Sequence, residues 1–512
     1  MARYRRRCDE QAVMLPVRLA DQLQPGTFEH TVSHLVDHEI DVSVFDCRYR
    51  NDERGAPAYD PAVLLKVVLF AYSRGIIGSR RIAQACEENV VFMALSGDSR
   101  PHFTTIAEFI STMGEQIGDV FTDVLSVCYA AGLIGKRMFA VDGCKISSNC
   151  AKEWSGTRAE LRKKAEKIEE SIRALLRRHR EEDWQGGQES EREKEKRTIE
   201  NLRAKAAKVR GFLSDSPERL GSGGKAVKSN ITDNESAKMP SAHGVIQGYN
   251  GIATVDSSHQ IIVDAQAFGE GHEAKRLAEV VRSVGRSFRG LEGGKDVFEE
   301  VVLTADSGFH SESSVGEVLE AGVDAYIADN KFRLRDPRFA SMQSRRTKPD
   351  RKRTSIARKY FAADEFRFDD EGTLICPAGK PMWCRCPNWR SKKGYKGRTY
   401  QGYVRHCSVC PLRPKCIRSA KSPARQVTKI DSELPPQEKT AVQRMIERFD
   451  SRRGRFYYSR RMGAVEPVFA NIRHTLRLDR FTLRGQVKVD TQWKLFCLVH
   501  NIGKIARYGA IA

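Results

Sequence analysis

The chain has 512 residues, with 87 Lys and Arg against 66 Asp and Glu and a formal net charge of +21. That length exceeds one ordinary hydrophobic core and implies roughly two to four domains. The most apolar stretch, Ala62–Tyr72, is short and carries Lys66, which falls well below the roughly 20 apolar residues of a membrane-spanning helix.

The N-terminus, Met1 to Cys8, is basic, and no apolar stretch follows it. A signal peptide is therefore not expected, and the chain reads as cytoplasmic with reduced thiols. Its 13 Cys are then core residues or metal ligands. The positive charge points to a polyanion, nucleic acid above all, as partner; a basic protein without a specific polyanion is the alternative.

Residues 10–130 read as helical. Asp60 before Pro61 offers an N-cap and a first-turn proline. Further short helices are expected from Ser79 and from Phe103. They suit either a helix-turn-helix that carries Arg80 and Arg81 to DNA or a plain helical bundle. Met138–Val141 is a short apolar run that reads as a buried strand delivering Asp142 at its far end.

Residues 157–214 are dense in Arg, Lys and Glu. Leu161, Ala165, Ile168, Ile172 and Leu175 keep a coiled-coil spacing. After Gly186 and Gly187 the spacing returns at Ile199, Leu202, Ala206, Val209 and Leu213. An antiparallel helical hairpin with solvated charges is expected. Residues 215–242 read as a linker.

Val245–Val255 and Gln260–Phe268 flank a turn and form a hairpin. A helix follows from His272, with Leu277, Val280, Val281 and Val284 on one face. Glu300–Ala305 is a second buried strand ending on a carboxylate, Asp306. A helix over Ser311–Ala321 and a strand over Val323–Ala328 complete the series. With the helical hairpin set aside, the order is βββαβαβ, that of a ribonuclease H-like α/β fold, which places function at strand ends.

Asp142, Asp306 and Glu466 are the candidate catalytic set. Mg²⁺ prefers carboxylate oxygens. Two such ions roughly 3.5–4 Å apart can clamp the attacking and leaving oxygens of a phosphoryl transfer. Glu466 precedes Pro467 and is expected at or near a helix start. Arg473, seven residues on, shares its face, and with Tyr458 and Arg461 is expected to hold DNA phosphates.

Four blocks, Val141-Asp-Gly-Cys-Lys145, Ile246-Gln-Gly-Tyr-Asn250, Ala305-Asp-Ser-Gly-Phe-His310 and Val465-Glu-Pro-Val-Phe469, together resemble the successive motifs of bacterial insertion-sequence DDE transposases. Tyr59-Asp-Pro-Ala-Val-Leu-Leu-Lys66 and Pro101-His-Phe-Thr-Thr-Ile-Ala-Glu-Phe109 resemble the InsH-like helical N-terminal region of one branch. The resemblance implies a ribonuclease H-like core, metal-dependent cutting and joining of transposon ends, and Asp142, Asp306 and Glu466 as the acidic triad on two Mg²⁺, with Mn²⁺ able to substitute. It also implies double-stranded DNA as partner, a homodimer in the DNA complex and association with the nucleoid. Tyr458 and Arg461 stand one residue further from Glu466 than the family pattern asks, and Arg473 replaces a Lys.

Cys407-Ser-Val-Cys410, with Cys376 and Cys416, offers four thiolates for structural Zn²⁺; Cys384 or Cys386 is an alternative ligand, and a metal-free thiol cluster the alternative state. The expected domains are a helical DNA-binding region (1–133), a catalytic core (134–150 and 243–330), a helical-hairpin insertion and linker (151–242), a basic and Cys-rich insertion (331–433), and a C-terminal helical part of the core carrying Glu466 (434–512). A nuclease without strand transfer and an inactive zinc-containing DNA-binding regulator are the competing functions.

Overall fold

The computed structural model describes residues 18–49, 57–183, 189–221, 224–241, 244–291, 293–339, 360–391, 395–419, 421–430 and 439–509. The basic runs 345–348 and 351–353, Cys8, Gly186 and Gly187 lie outside them. The chain divides into two compact units, residues 1–329 with 445–512, and residues 330–444.

The larger unit opens with helices α1 (Phe28–His38), α2 (Pro61–Ser73), α3 (Ser79–Glu88), α4 (Val90–Ser96), α5 (Phe103–Thr112) and α6 (Gln116–Ala130). Asp60 caps α2 as expected, its Oδ1 accepting from the Ala62 N–H at 2.8 Å. Strand β1 (Met138–Ser147) follows, then a two-residue strand β2 (Ser155–Gly156). Helices α7 (Arg158–Asp183) and α8 (Glu189–Asp215) form the hairpin. Their antiparallel course is fixed by the Arg178–Glu195 and Arg210–Glu169 pairs, and Leu161, Ala165 and Val209 form its dry seam.

The stretch expected to be a linker holds β3 (Ser229–Asn230) and β4 (Ala237–Ser241). β4 pairs with the start of β5 (Gly244–Asp256) as an edge strand, where Pro240 needs no ladder donor. After β6 (Ile262–Phe268) come α9 (Leu277–Leu291), β7 (Val302–Ala305), α10 (Glu312–Glu320) and β8 (Ala325–Ile327). The sheet runs β4-β5-β1-β7-β8, with β6 also on β5. β1 is antiparallel to β5 and parallel to β7, and β7 is parallel to β8. Near-continuous burial along β5 fits a strand covered on both faces. One cover is α9, whose Leu277, Val280, Val281, Val284 and Phe288 are buried, with Phe288 against Phe139 of β1.

The other cover comes from the C-terminal part of the chain. Helix α11 (Ala441–Asp450) leads to α12 (Arg452–Ala470), a π-helical turn over Asn471–Thr475, and α13 (Gln486–Tyr508). α13 lies on β6, where Asn501 accepts from the Ile262 N–H and donates to its carbonyl. Trp493, fully buried, donates to the Ile252 carbonyl at 3.0 Å. The same helix packs on α1, α2, α5 and α6, with Tyr72 against Phe496 at 4.9 Å. The N-terminal helices, expected to stand as a domain of their own, therefore share one core with the sheet.

His500 of α13 is 4 % exposed. Its Nδ1 accepts from Asn471 Nδ2 and its Nε2 donates to the Gln260 carbonyl. Burial lowers its pKa from 6.5 to about 4. A second proton would set N–H against N–H at Asn471. Stability from the neutral ring is present above the unfolded value and is lost as pH falls from 6.5 to about 4, a loss of about 3 kcal/mol. Thermal unfolding across that window should show the loss, and His500→Gln should flatten it.

The smaller unit holds a five-stranded antiparallel sheet, ordered 426–430, 396–402, 381–390, 374–375 and 367–368. Phe366, Leu374, Met382, Tyr400 and Val427 form its core.

Candidate active site

β1 and β7 pair in parallel from Met138↔Val302 to Val141↔Ala305. Asp142 and Asp306 are the next residues on each, so the register sets the two aspartates side by side. The sequence placed Asp142 at the end of its strand; instead β1 runs on to Ser147 against β5, past the end of β7. The carboxylate is thus held on a paired strand rather than on a loop. Asp306 lies just beyond β7, and its Oδ1 accepts from the Gly308 N–H at 2.8 Å.

Asp142 Oδ2 accepts from Arg461 Nη1 at 2.8 Å, with side-chain exposures of 20 % and 6 %. Burial pushes the Asp142 carboxyl up, the Arg461 guanidinium pulls it back, and Asp306 adds to the rise. Arg461, expected on DNA phosphates, is instead buried and engaged with a site carboxylate. Its ring neighbour Tyr458 is half-buried with its edge to Phe449.

Sequence reasoning missed a third carboxylate. Glu273 was expected in the first turn of a helix, but α9 begins at Leu277, and Glu273 lies in the connection before it. Its Oε1 accepts from Asn250 Nδ2 at 2.8 Å. A Cβ on Gly143 would stand 2.4 Å from that oxygen, and one on Gly308 2.6 Å from Oε2 and 3.0 Å from Asp306 Oδ1. Two glycines therefore make the seat of one carboxylate beside Asp306. Burial pushes Glu273 up to about 7, against the Asn250 hydrogen bond, and Asp306 and Asp142 both add to the rise. The signal available in the sequence was Gly269 and Gly271, which break a helix pattern just before Glu273.

Glu466 stands in the last turn or so of α12, not at a helix start, and is exposed. Pro467 cannot donate to the Gly463 carbonyl four residues back. Gln260 Nε2 takes up that carbonyl at 3.3 Å, which is how the helix passes through the proline. Glu466 lies about 140° around the helix from Arg461, and Arg473 follows in the π-helical turn. Arg473 reaches the Cys144 thiol, two residues beyond Asp142, yet burial still pushes that thiol up to about 11. Arg80 and Arg81 are exposed at the start of α3, Arg80 over the Phe103 ring.

The donors gathered at β1 and β7 are hard oxygens, and the Asn250 Oδ1 among them is buried without a hydrogen-bond partner. Such a set suits Mg²⁺ or Mn²⁺ rather than a soft metal. Among the described residues no three His, Cys, Asp or Glu side chains converge closely enough to enclose an ion. In the smaller unit, Cys376, Cys407, Cys410 and Cys416 line one cavity with His406. Burial and the three other thiols push Cys416 up to about 11, although Arg425 opposes them. Cys384 and Cys386 lie on the neighbouring strand and do not line that cavity.

Residues 375–506 match the Transposase DDE domain family, and residues 17–112 match the Transposase domain (DUF772) family. Glu466 falls within the first match; Asp142 and Asp306 precede it. No curated protein matches the chain.

Proposed function

From the premise that the chain belongs with the insertion-sequence DDE transposases, we propose that it binds transposon ends as double-stranded DNA, cuts them and joins the 3′ ends to target DNA. The observation that carries this reading is the register that sets Asp142 beside Asp306 on parallel strands. The strand order and directions support a ribonuclease H-like core.

Asp142 and Asp306 would hold Mg²⁺, with Mn²⁺ as substitute, and Glu466 would supply the third acidic group from α12. The bound cations neutralise phosphate charge and lower the pKa of the attacking water or hydroxyl. Arg461 opposes the rise that burial imposes on the Asp142 carboxyl. Arg473 and Tyr458 meet the DNA backbone beside the carboxylates, and Arg80 and Arg81 meet it on α3. The functional DNA complex is a homodimer, in the cytoplasm at the nucleoid. Among the described residues no helix is long and apolar enough to cross a membrane.

The test is incubation with labelled DNA carrying the ends of the encoding element, a target plasmid and Mg²⁺, alongside Asp306→Ala. Joined products should form and vanish in the variant. Cleavage without joining would replace the reading with a nuclease. Binding alone, equal in both proteins, would replace it with a DNA-binding regulator.

Structural Zn²⁺ at Cys376, Cys407, Cys410 and Cys416 is a second element of the reading, supported by their shared cavity. Elemental analysis of the purified chain should find one zinc per chain, lost in Cys407→Ser with Cys410→Ser. Zinc-free protein of normal stability would leave a reduced thiol cluster.

A further inference from the structure

We infer that Glu273 is a ligand of the same divalent cation site as Asp142 and Asp306, and that Asn250 is its positioning residue; the inference rests on the metal-dependent reading of that site. Three observations carry it. Glu273 Oε2 and Asp306 Oδ1 lie within 3.0 Å of one point, the place where a Cβ on Gly308 would stand. A side chain at residue 308 would collide with both oxygens, and one at residue 143 with the other oxygen of the same carboxylate, so the two glycines let Glu273 approach Asp306.

The second observation is Asn250. It is 1 % exposed, it holds Glu273 Oε1 through Nδ2, and its Oδ1 is buried with no hydrogen-bond partner. Leaving a buried amide oxygen unpaired is unfavourable. It stands 2.9 Å from the Cβ position of Gly143, next to Glu273 Oε1 at 2.4 Å. An oxygen so placed is an acceptor for a cation or its hydration shell.

The third is charge. Asp306 acts on both Asp142 and Glu273, and Asp142 acts on Glu273; Arg461 offsets the charge at Asp142 and Lys145 at Glu273. Of the two, Arg461 lies within hydrogen-bond distance of a site carboxylate. The three carboxylates do not by themselves enclose an ion; a divalent cation that drew them together would relieve their repulsion with oxygen donors of the type Mg²⁺ prefers. Glu273 reaches the site from the β6–α9 connection, so it is independent of α12 and Glu466.

The experiment is Mn²⁺ binding to the full-length chain without DNA, read as loss of the free-ion electron paramagnetic resonance signal. Glu273→Gln should weaken binding by about tenfold or more. Asn250→Ala should weaken it by a similar factor, in the range seen when groups supporting a metal ligand are removed. Gly308→Ala, at an exposed loop position, should weaken it with unchanged thermal stability, since its methyl displaces the Glu273 carboxylate. Wild-type affinity in Glu273→Gln, with affinity lost in Asp306→Asn, would overturn the inference and leave the transposase reading standing. Wild-type affinity in Asp306→Asn and Asp142→Asn, or no Mn²⁺ bound by the parent chain at millimolar ion, would overturn both.

Discussion

Asp306→Asn should abolish strand cleavage and joining while leaving the fold and end binding intact. The amide oxygen can still accept from the Gly308 N–H, the bond that shapes the loop after β7. What is removed is one negative charge from the proposed cation site. A fall of about a thousandfold or more is expected, equivalent to roughly 4 kcal/mol of transition-state stabilisation. Asp142→Asn should lose activity to the same extent and differ in stability. Its partner is a guanidinium whose side chain is 6 % exposed, and Asn leaves that charge buried and uncompensated. Gel-shift affinity, single-turnover cleavage and urea unfolding of the two variants separate the effects. Asp306→Asn should unfold like the parent, and Asp142→Asn should unfold earlier. Cleavage retained near parent levels in either variant would remove that aspartate from the chemistry.

The two aspartates stood out in the sequence because each follows a short apolar run of the kind that forms a buried strand, although β1 continues past Asp142. Their adjacency was not legible there, since it depends on the β1–β7 register. Glu273 was hidden by a helical pattern of Leu277, Val280, Val281 and Val284 that extrapolates back through it, while the helix stops at Leu277. Glu466 was expected at a helix start because proline disfavours helical angles in the residue before it. The exception depends on Gln260, about 200 residues away in sequence, a compensation no local rule contains. β4 was read as linker for want of apolar residues, and an edge strand needs few. The basic charge was legible as a total and misassigned in part. Arg448 and Arg453 both pair with Asp324, and Arg461 pairs with Asp142. Some of the arginines near α12 thus fasten that helix to the sheet rather than wait for DNA.

That division of labour gives Arg461→Met its expected outcome. Methionine fills much of the same volume and still packs against Tyr458, so the loss is chiefly electrostatic. Asp142 would stay buried on β1 with Asp306 nearby and no guanidinium to offset them. Breaking a buried pair by removing one partner costs about 3–5 kcal/mol. The cost depends on pH with a definite sign. Asp142 already has its folded pKa raised above the usual carboxylate value, and the variant raises it further. A raised carboxylate favours folding at low pH and loses that advantage as pH rises through the folded pKa. The deficit against the parent should therefore be smallest at acid pH and grow toward neutrality. Urea midpoints at pH 4.5 and pH 8 would show it. A divalent cation supplies the charge that Arg461 gave, and a ligand bound only by the native state stabilises it by mass action. Millimolar Mg²⁺ should then raise the unfolding midpoint of Arg461→Met more than that of the parent. An equal shift in the two proteins would mean that Arg461 and the cation do not share Asp142.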